Sequence, residues 1–197
     1  MRKLIKSLVC VTLFFLNANS FAYNSSPEIF IQELVDDAIK TLKDKNIPKK
    51  DKLRKIKTIA LANVDINALG MYTLGSVRKT LDKNNIEKYN ELFEKYFLKS
   101  LTSRLIDYSE QKFEVEGSDQ KSETYTMVNS KLVESSSTPE LKIIWRVYTK
   151  DPAKLLIRDL VVEGLSLAKT QKEEFSSVLN SNNNDINILF LKLEKFI

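Results

Sequence analysis

Histidine is missing from all 197 residues, and cysteine occurs once, as Cys10. Those two absences remove the usual general base, the Ser–His and Cys–His nucleophile systems, and zinc or copper sites of ordinary type. Cys10 lies inside an apolar run after Val9, whereas a lipid-modified cysteine closes such a run after small residues. With no second thiol there is no disulfide framework, so stability has to come from packing. Beyond the amino terminus no long apolar run follows, so no segment there spans a membrane. Internal repeats are absent as well. Glycine occurs only four times, which makes Gly164, between Glu163 and Ser166, a position that needs a reason.

What is present starts with an address. Arg2, Lys3 and Lys6 form a positive region, Leu8 to Leu16 an apolar core, and Ser20-Phe21-Ala22 a small-x-small cleavage site. This is the pattern of a secretory signal peptide over residues 1–22, with a mature single domain over 23–197. That domain is long enough to hide a large share of its surface. The leader carries three of the 31 basic residues and none of the 26 acidic ones, so the net charge falls from +5 to +2. A nearly neutral domain argues against nucleic acid as a partner.

The remaining pattern changes period once. Ser26-Pro27 supplies an N-cap with proline at the first helical position, and Ser25 with Glu28 has capping-box spacing. Phe30, Ile31, Leu34, Val35, Ala38, Ile39 and Leu42 then share one helical stripe, up to Asn46-Ile47-Pro48. A second helix covers Lys49 to Leu61. Asp65 caps a short third helix that ends at Gly75 in the left-handed conformation. From Asp82, Ile86, Tyr89, Leu92, Phe93, Tyr96, Phe97, Leu101, Leu105 and Tyr108 recur at steps of three and four, one long helix with an aromatic face.

After Tyr108 the pattern alternates. Strands are expected over 112–116 (Phe113, Val115), 123–132 (Tyr125, Met127), 141–148 (Ile143, Trp145, Val147) and 154–162. Gly117 to Gln120, Ser135 to Pro139 and Lys150 to Pro152 read as turns. A helix to about Leu179, a polar loop at 180–184 and a last helix capped by Asp185 complete the chain. Helices, then an antiparallel meander, then helices define an α+β fold.

Candidate chemistry is sparse. Gly70 to Gly75 has the glycine spacing of a phosphate-binding loop, but serine and valine stand where it requires lysine and a hydroxyl residue. Asp36-Asp37 and Glu173-Glu174 lie on helices, where neighbours point to different azimuths and form no acid/base pair. Asp159 and Glu163, four apart on a strand, share a face and could act as acid and base. The structural alternative gives Asp159 backbone amides or Arg146 as partners, and has Glu163 and Ser166 satisfying the first amides of the following helix.

The run Trp145-Arg146, a turn, then Asp159-Leu-Val-Val-Glu-Gly-Leu-Ser-Leu167 and a helix with Lys172 and Phe175 resembles the MlaC family of toluene-tolerance-type proteins. The string at Asp159, Glu163, Gly164 and Ser166 is its most specific mark. Val64-Asp65, Leu74-Gly75 and Arg78-Lys79-Thr80 before the long helix agree with it. The chain departs where the family often has tryptophan, here Arg78 and Leu155, and where it has a tyrosine–arginine pair, here Gln171-Lys172.

The resemblance implies an NTF2-like, cone-shaped domain, with helices across a curved antiparallel four-stranded sheet enclosing an apolar cavity. It implies a non-enzymatic, monomeric periplasmic carrier that holds phospholipid by its acyl chains and uses no cofactor or metal. Its partners would be an inner-membrane ABC transporter complex with an MCE protein and an outer-membrane lipoprotein–porin complex, a route that maintains outer-membrane lipid asymmetry. Two acyl chains hold roughly thirty methylenes, so on the order of 25 kcal/mol opposes their free passage through water. The expected lining is Leu69, Tyr72, Leu74, Phe93, Phe97, Leu101, Leu105, Trp145, Val147, Leu160, Val162 and Leu165. Gly75, Asp159, Glu163, Gly164 and Ser166 are expected to shape the fold, Gly164 by permitting a bend or a close backbone approach. Two other readings stay open: a solidly packed adaptor that docks membrane complexes, and an enzyme using Asp159 with a tyrosine.

Overall fold

The computed structural model describes residues 26–105, 112–133 and 139–197. Proline at the first position opens α1 (Pro27–Lys43), whose backbone Ser26 precedes it as N-cap. After the break at Pro48 comes α2 (Lys49–Asn63). Asp65 caps α3 (Ile66–Thr73), its side chain accepting from the Ala68 amide at 3.1 Å. Gly75 follows at φ +59, the left-handed residue expected there. A single 3-10 turn at Val77–Lys79 leads to the long α4 (Lys83–Leu105). Tyr108, expected on the same stripe, lies outside the described residues, as does most of the Ser135–Pro139 turn.

The sheet is an antiparallel meander of β1 (Phe113–Ser122), β2 (Tyr125–Leu132), β3 (Leu141–Tyr148), β4 (Leu156–Val162) and the two-residue β5 (Leu165–Ser166), in that spatial order. The chain closes with α5 (Leu167–Asn180) and α6 (Ile186–Phe196), capped by Ser166 and Asp185 through hydrogen bonds to the Lys169 and Asn187 amides.

Three sequence expectations are corrected. Gly117 to Gln120 is no turn: β1 runs on to Ser122, with a register shift between Val115 and Gly117. Glycine inside a strand marks a bulge as readily as a turn. On β2 the buried residues are Thr126, Val128 and Ser130, whereas Tyr125 and Met127 point the other way. Ser130 tolerates burial because its hydroxyl accepts from the Trp145 indole N–H at 2.8 Å and donates to the Ile143 carbonyl at 3.0 Å. Finally, the sheet has five strands instead of four, because the chain doubles back after Val162.

That reversal explains Gly164. Val162 pairs with Leu165, leaving Glu163 and Gly164 as a two-residue loop with φ of +48 and +81. Two consecutive positive φ values are what a type I′ hairpin turn demands. A Cβ on Gly164 would meet nothing within 4 Å, so the bend requires the glycine and close approach does not. Close approach belongs to Gly70, where a Cβ would sit 2.8 Å from Cδ1 of Phe93 on α4.

Two apolar clusters form the interior. Leu74, Tyr89, Leu92, Phe93, Phe175, Leu179, Leu189, Phe190 and Leu193 join α3, α4, α5 and α6. Phe30, Ile31, Ile56, Ile59, Phe113, Val128, Val147 and Ile157 join α1 and α2 to one face of the sheet. Val64 and Leu101 touch both clusters. Val64 bridges Ile157 as an extra parallel partner, and the Asp65 amide donates to the Ile157 carbonyl at 2.9 Å. A bulge between Ile157 and Asp159 turns Arg158 out of the ladder, and it reaches Asp65 at 2.7 Å and the Tyr125 hydroxyl at 2.9 Å. Its guanidinium lies 3.6 Å from the centre of the Tyr148 ring. The corner between α2 and α3 is thereby fastened to β4.

Candidate functional site

Directly opposed residues in an antiparallel ladder share a face. The register therefore lays three rows across the helix-covered side of the sheet: Thr126–Val147–Ile157, Val128–Trp145–Leu160 and Ser130–Ile143–Val162. The bulge at Arg158 keeps Ile157 and Leu160 on the same side although they are three residues apart. Trp145 turns its only polar atom down to Ser130 and meets Phe113 edge-on, ring centres 6.1 Å apart. What remains uppermost is hydrocarbon.

Above this floor the apolar side chains stop short of closure. Val35, Ala38, Ile39 and Leu42 from α1, Leu101 and Leu105 from the end of α4, and Val115, Leu132, Trp145 and Leu160 from the sheet are all only partly buried, packed against a sealed base. The base itself is closed, with Ile31, Val128 and Val147 at 0% exposure. An amphipathic helix normally buries its stripe completely against one partner. α1 does so with Phe30, Ile31 and Leu34 and leaves its second half partly open. The result is a run of half-covered apolar side chains along α1, the end of α4 and the sheet.

The expected lining residues divide between the two clusters. Leu101, Leu105, Trp145, Val147 and Leu160 lie in the sheet cluster. Leu69, Leu74, Phe93 and Phe97 lie in the helical one, where Phe93 stacks near Tyr89 and Phe97 and meets Phe175 edge-on. Tyr72 is exposed, with the Lys172 ammonium 5.2 Å from its ring centre. Val162 continues the third row, and Leu165 beyond it is exposed. The contribution of α1, through Val35, Ala38, Ile39 and Leu42, was visible as a stripe in the sequence but not as lining, since a stripe does not tell how completely it is covered.

The four-residue motif is a corner brace. Asp159, 6% exposed, accepts from the Leu160 amide at 2.8 Å, the Ser166 hydroxyl at 2.6 Å and the Ala168 amide at 2.9 Å, with Arg146 at 3.4 Å. Every lone-pair direction of this carboxylate is engaged by structure, as the non-catalytic reading of it requires. Ser166 caps α5 as expected. Glu163 does otherwise: its carboxylate accepts from the Lys142 amide at 2.6 Å and so ties the hairpin to β3, not to the helix. Buried Tyr89 bonds to Thr73 at 2.7 Å, and burial pushes its phenol above the ordinary range, which suits a core residue.

Two clefts lie elsewhere, one of about 280 Å³ by Ile66, Asn67, Asn90, Glu91, Glu94 and Lys95, and one of about 390 Å³ by Tyr96, Phe175, Leu193 and Phe196. Neither contains a residue of the expected lining. Among the described residues, no group of three or more histidine, cysteine, aspartate or glutamate side chains could hold a metal ion. No helix among them is long and apolar enough to cross a membrane.

The elements define an α+β fold, in which helices pack on an antiparallel meander and leave a group of apolar side chains half covered. The chain belongs to the MlaC family, whose sequence model, described as "MlaC protein", matches residues 32–195. No curated protein matches it. Among solved structures it resembles a phospholipid-binding protein from Ralstonia solanacearum in complex with a phospholipid, at 17% identity and a TM-score of 0.71, covering 88% of this chain and 96% of that one. At that identity the likeness establishes the fold.

Proposed function

We propose that this protein is a periplasmic phospholipid carrier. It takes the acyl chains of a phospholipid between α1, the end of α4 and the sheet, and passes the lipid between an inner-membrane ABC transporter complex and an outer-membrane lipoprotein–porin complex. Residues 1–22 direct its export, and the outcome of the traffic is outer-membrane lipid asymmetry. The observation that carries this reading is a set of ten apolar side chains from six elements, packed on a closed base and themselves left half-covered. Ordinary packing would close them, since each buried methylene is worth about 0.8 kcal/mol. Membership of the MlaC family and the phospholipid held by the Ralstonia protein of like fold support it.

The head group stays near solvent in this scheme, and no tight phosphate motif is needed. Extraction of purified protein followed by mass spectrometry is the test, with close to one phospholipid per chain expected. A preparation that is reproducibly lipid-free and cannot be loaded from vesicles refutes the proposal. That result would favour the adaptor reading, which draws on the exposed Leu191, Phe196 and Ile197 of the last helix.

A further inference from the structure

The helix-covered face of the sheet is graded from one end to the other. Its inner row is sealed, with Val147 and Ile157 at 0% and 4% exposure. In the next two rows Val128 and Ser130 on β2 are buried, while Trp145 and Leu160, then Ile143 and Val162, on β3 and β4 are half-buried. Pairing of Val162 with Leu165 carries that third row on to β5, and paired residues project from the same face. Leu165, at 68%, is the most exposed large apolar side chain among the described residues.

A single exposed leucine needs no explanation by itself. The anchoring of this one does. It follows directly on the Glu163-Gly164 turn, and its neighbours are fixed from both sides: Glu163 to the Lys142 amide at 2.6 Å, and Ser166 to the buried Asp159 at 2.6 Å. Space around Gly164 is open, so nothing packs against the turn from outside. A corner tethered on both sides thus presents a leucine to solvent beside the half-buried Val162 and Ile143, which lead on to Leu160 and Trp145 of the sheet cluster.

We propose that Leu165 is the outermost step of an apolar ramp along which an acyl chain reaches and leaves the half-covered side chains of the sheet cluster. It sets the rate of lipid transfer more than the amount of lipid held. The inference rests on the phospholipid-carrier reading. A departing chain exposes its methylenes one after another, and a continuous apolar surface lets each keep a contact until the acceptor membrane takes over. A polar group at the outer step interrupts that sequence at its most solvated point, and raises the barrier without emptying the base.

The test uses full-length mature protein loaded with pyrene-labelled phosphatidylglycerol and mixed with excess unlabelled acceptor vesicles. Exchange is followed by fluorescence for wild type, Leu165→Asp, Leu165→Ser and Leu165→Ile. Leu165→Asp should exchange about tenfold more slowly, with Leu165→Ser between and Leu165→Ile close to wild type, while lipid per chain falls less than twofold. Equal rates for Leu165→Asp and wild type overturn the ramp and leave the carrier reading standing. A loss of bound lipid as large as the loss of rate also overturns it, because Leu165 would then be holding the ligand. A wild-type protein that takes up no lipid overturns the carrier reading and the ramp with it.

Discussion

The two halves of the interior are built from the same residue types on different frames. On the helical side, Tyr89, Phe175, Leu179, Leu189 and Phe190 are at most 1% exposed, and aromatic rings meet at 5.7 to 6.4 Å around Phe93. On the sheet side, a base of equal tightness is ringed by eleven half-buried apolar side chains, four of them from α1, against eight around the helical cluster. The first half holds the largest fully buried side chains among the described residues, Tyr89, Phe175 and Phe190. Under the carrier proposal, the second keeps a half-covered surface that an acyl chain would complete.

Substitutions in the two halves should therefore separate stability from ligand content. The largest effect belongs to Phe175→Ala, which removes a side chain with no exposure from the middle of the helical cluster. It should cost about 3–5 kcal/mol in chemical denaturation, with lipid per folded chain unchanged. Gly70→Val is next, because its Cβ falls 2.8 Å from the Phe93 ring and α3 must shift away. A loss of about 1–3 kcal/mol is expected from over-packing. Should Gly70→Val leave the melting temperature unchanged, the description of the helical half as closed is wrong.

Gly164→Val tests the corner between the halves. The position has room but a φ of +81, so the cost is backbone strain of about 1–3 kcal/mol, and co-purified lipid should fall as the hairpin end of the sheet is displaced. Unchanged stability and unchanged lipid together would remove the role given to this glycine. The smallest effect on stability is expected from Ile39→Ser on the open side of α1, at about 1 kcal/mol or less. Its effect on lipid per chain should nevertheless exceed that of Phe175→Ala. If Ile39→Ser keeps its full lipid while Phe175→Ala loses it, the assignment of the two halves is reversed.

Helices were the more legible part of the sequence. Pro27, Asp65, Gly75, Ser166 and Asp185 each mark an end where the structure puts one, because caps act locally and leave a local trace. The strands were legible in position and less so in facing. Tyr125 and Met127 carry more apolar area than Thr126 and Ser130, yet it is the smaller pair that is buried, since register with Trp145 and Val147 decides the face. The function of Asp159 could be narrowed from its apolar neighbours, and three of its four partners are backbone or side-chain donors within nine residues. How far each stripe is covered could not be read directly. The stripe of α1 and the stripe of α4 look alike in sequence, and only the distance left between packed elements separates a filled interior from an unfilled one.

The fastening of Val64 and Asp65 to Ile157 has a consequence for the company this protein keeps. Together with β5 it occupies the outer side of β4, so that flank of the sheet has few free amides and carbonyls for another chain to stack upon. The opposite flank, β1, is kinked at Gly117 and studded with Glu114, Glu116, Asp119 and Lys121. A domain with half-covered apolar side chains has thus blunted both borders along which it could otherwise polymerise into fibres.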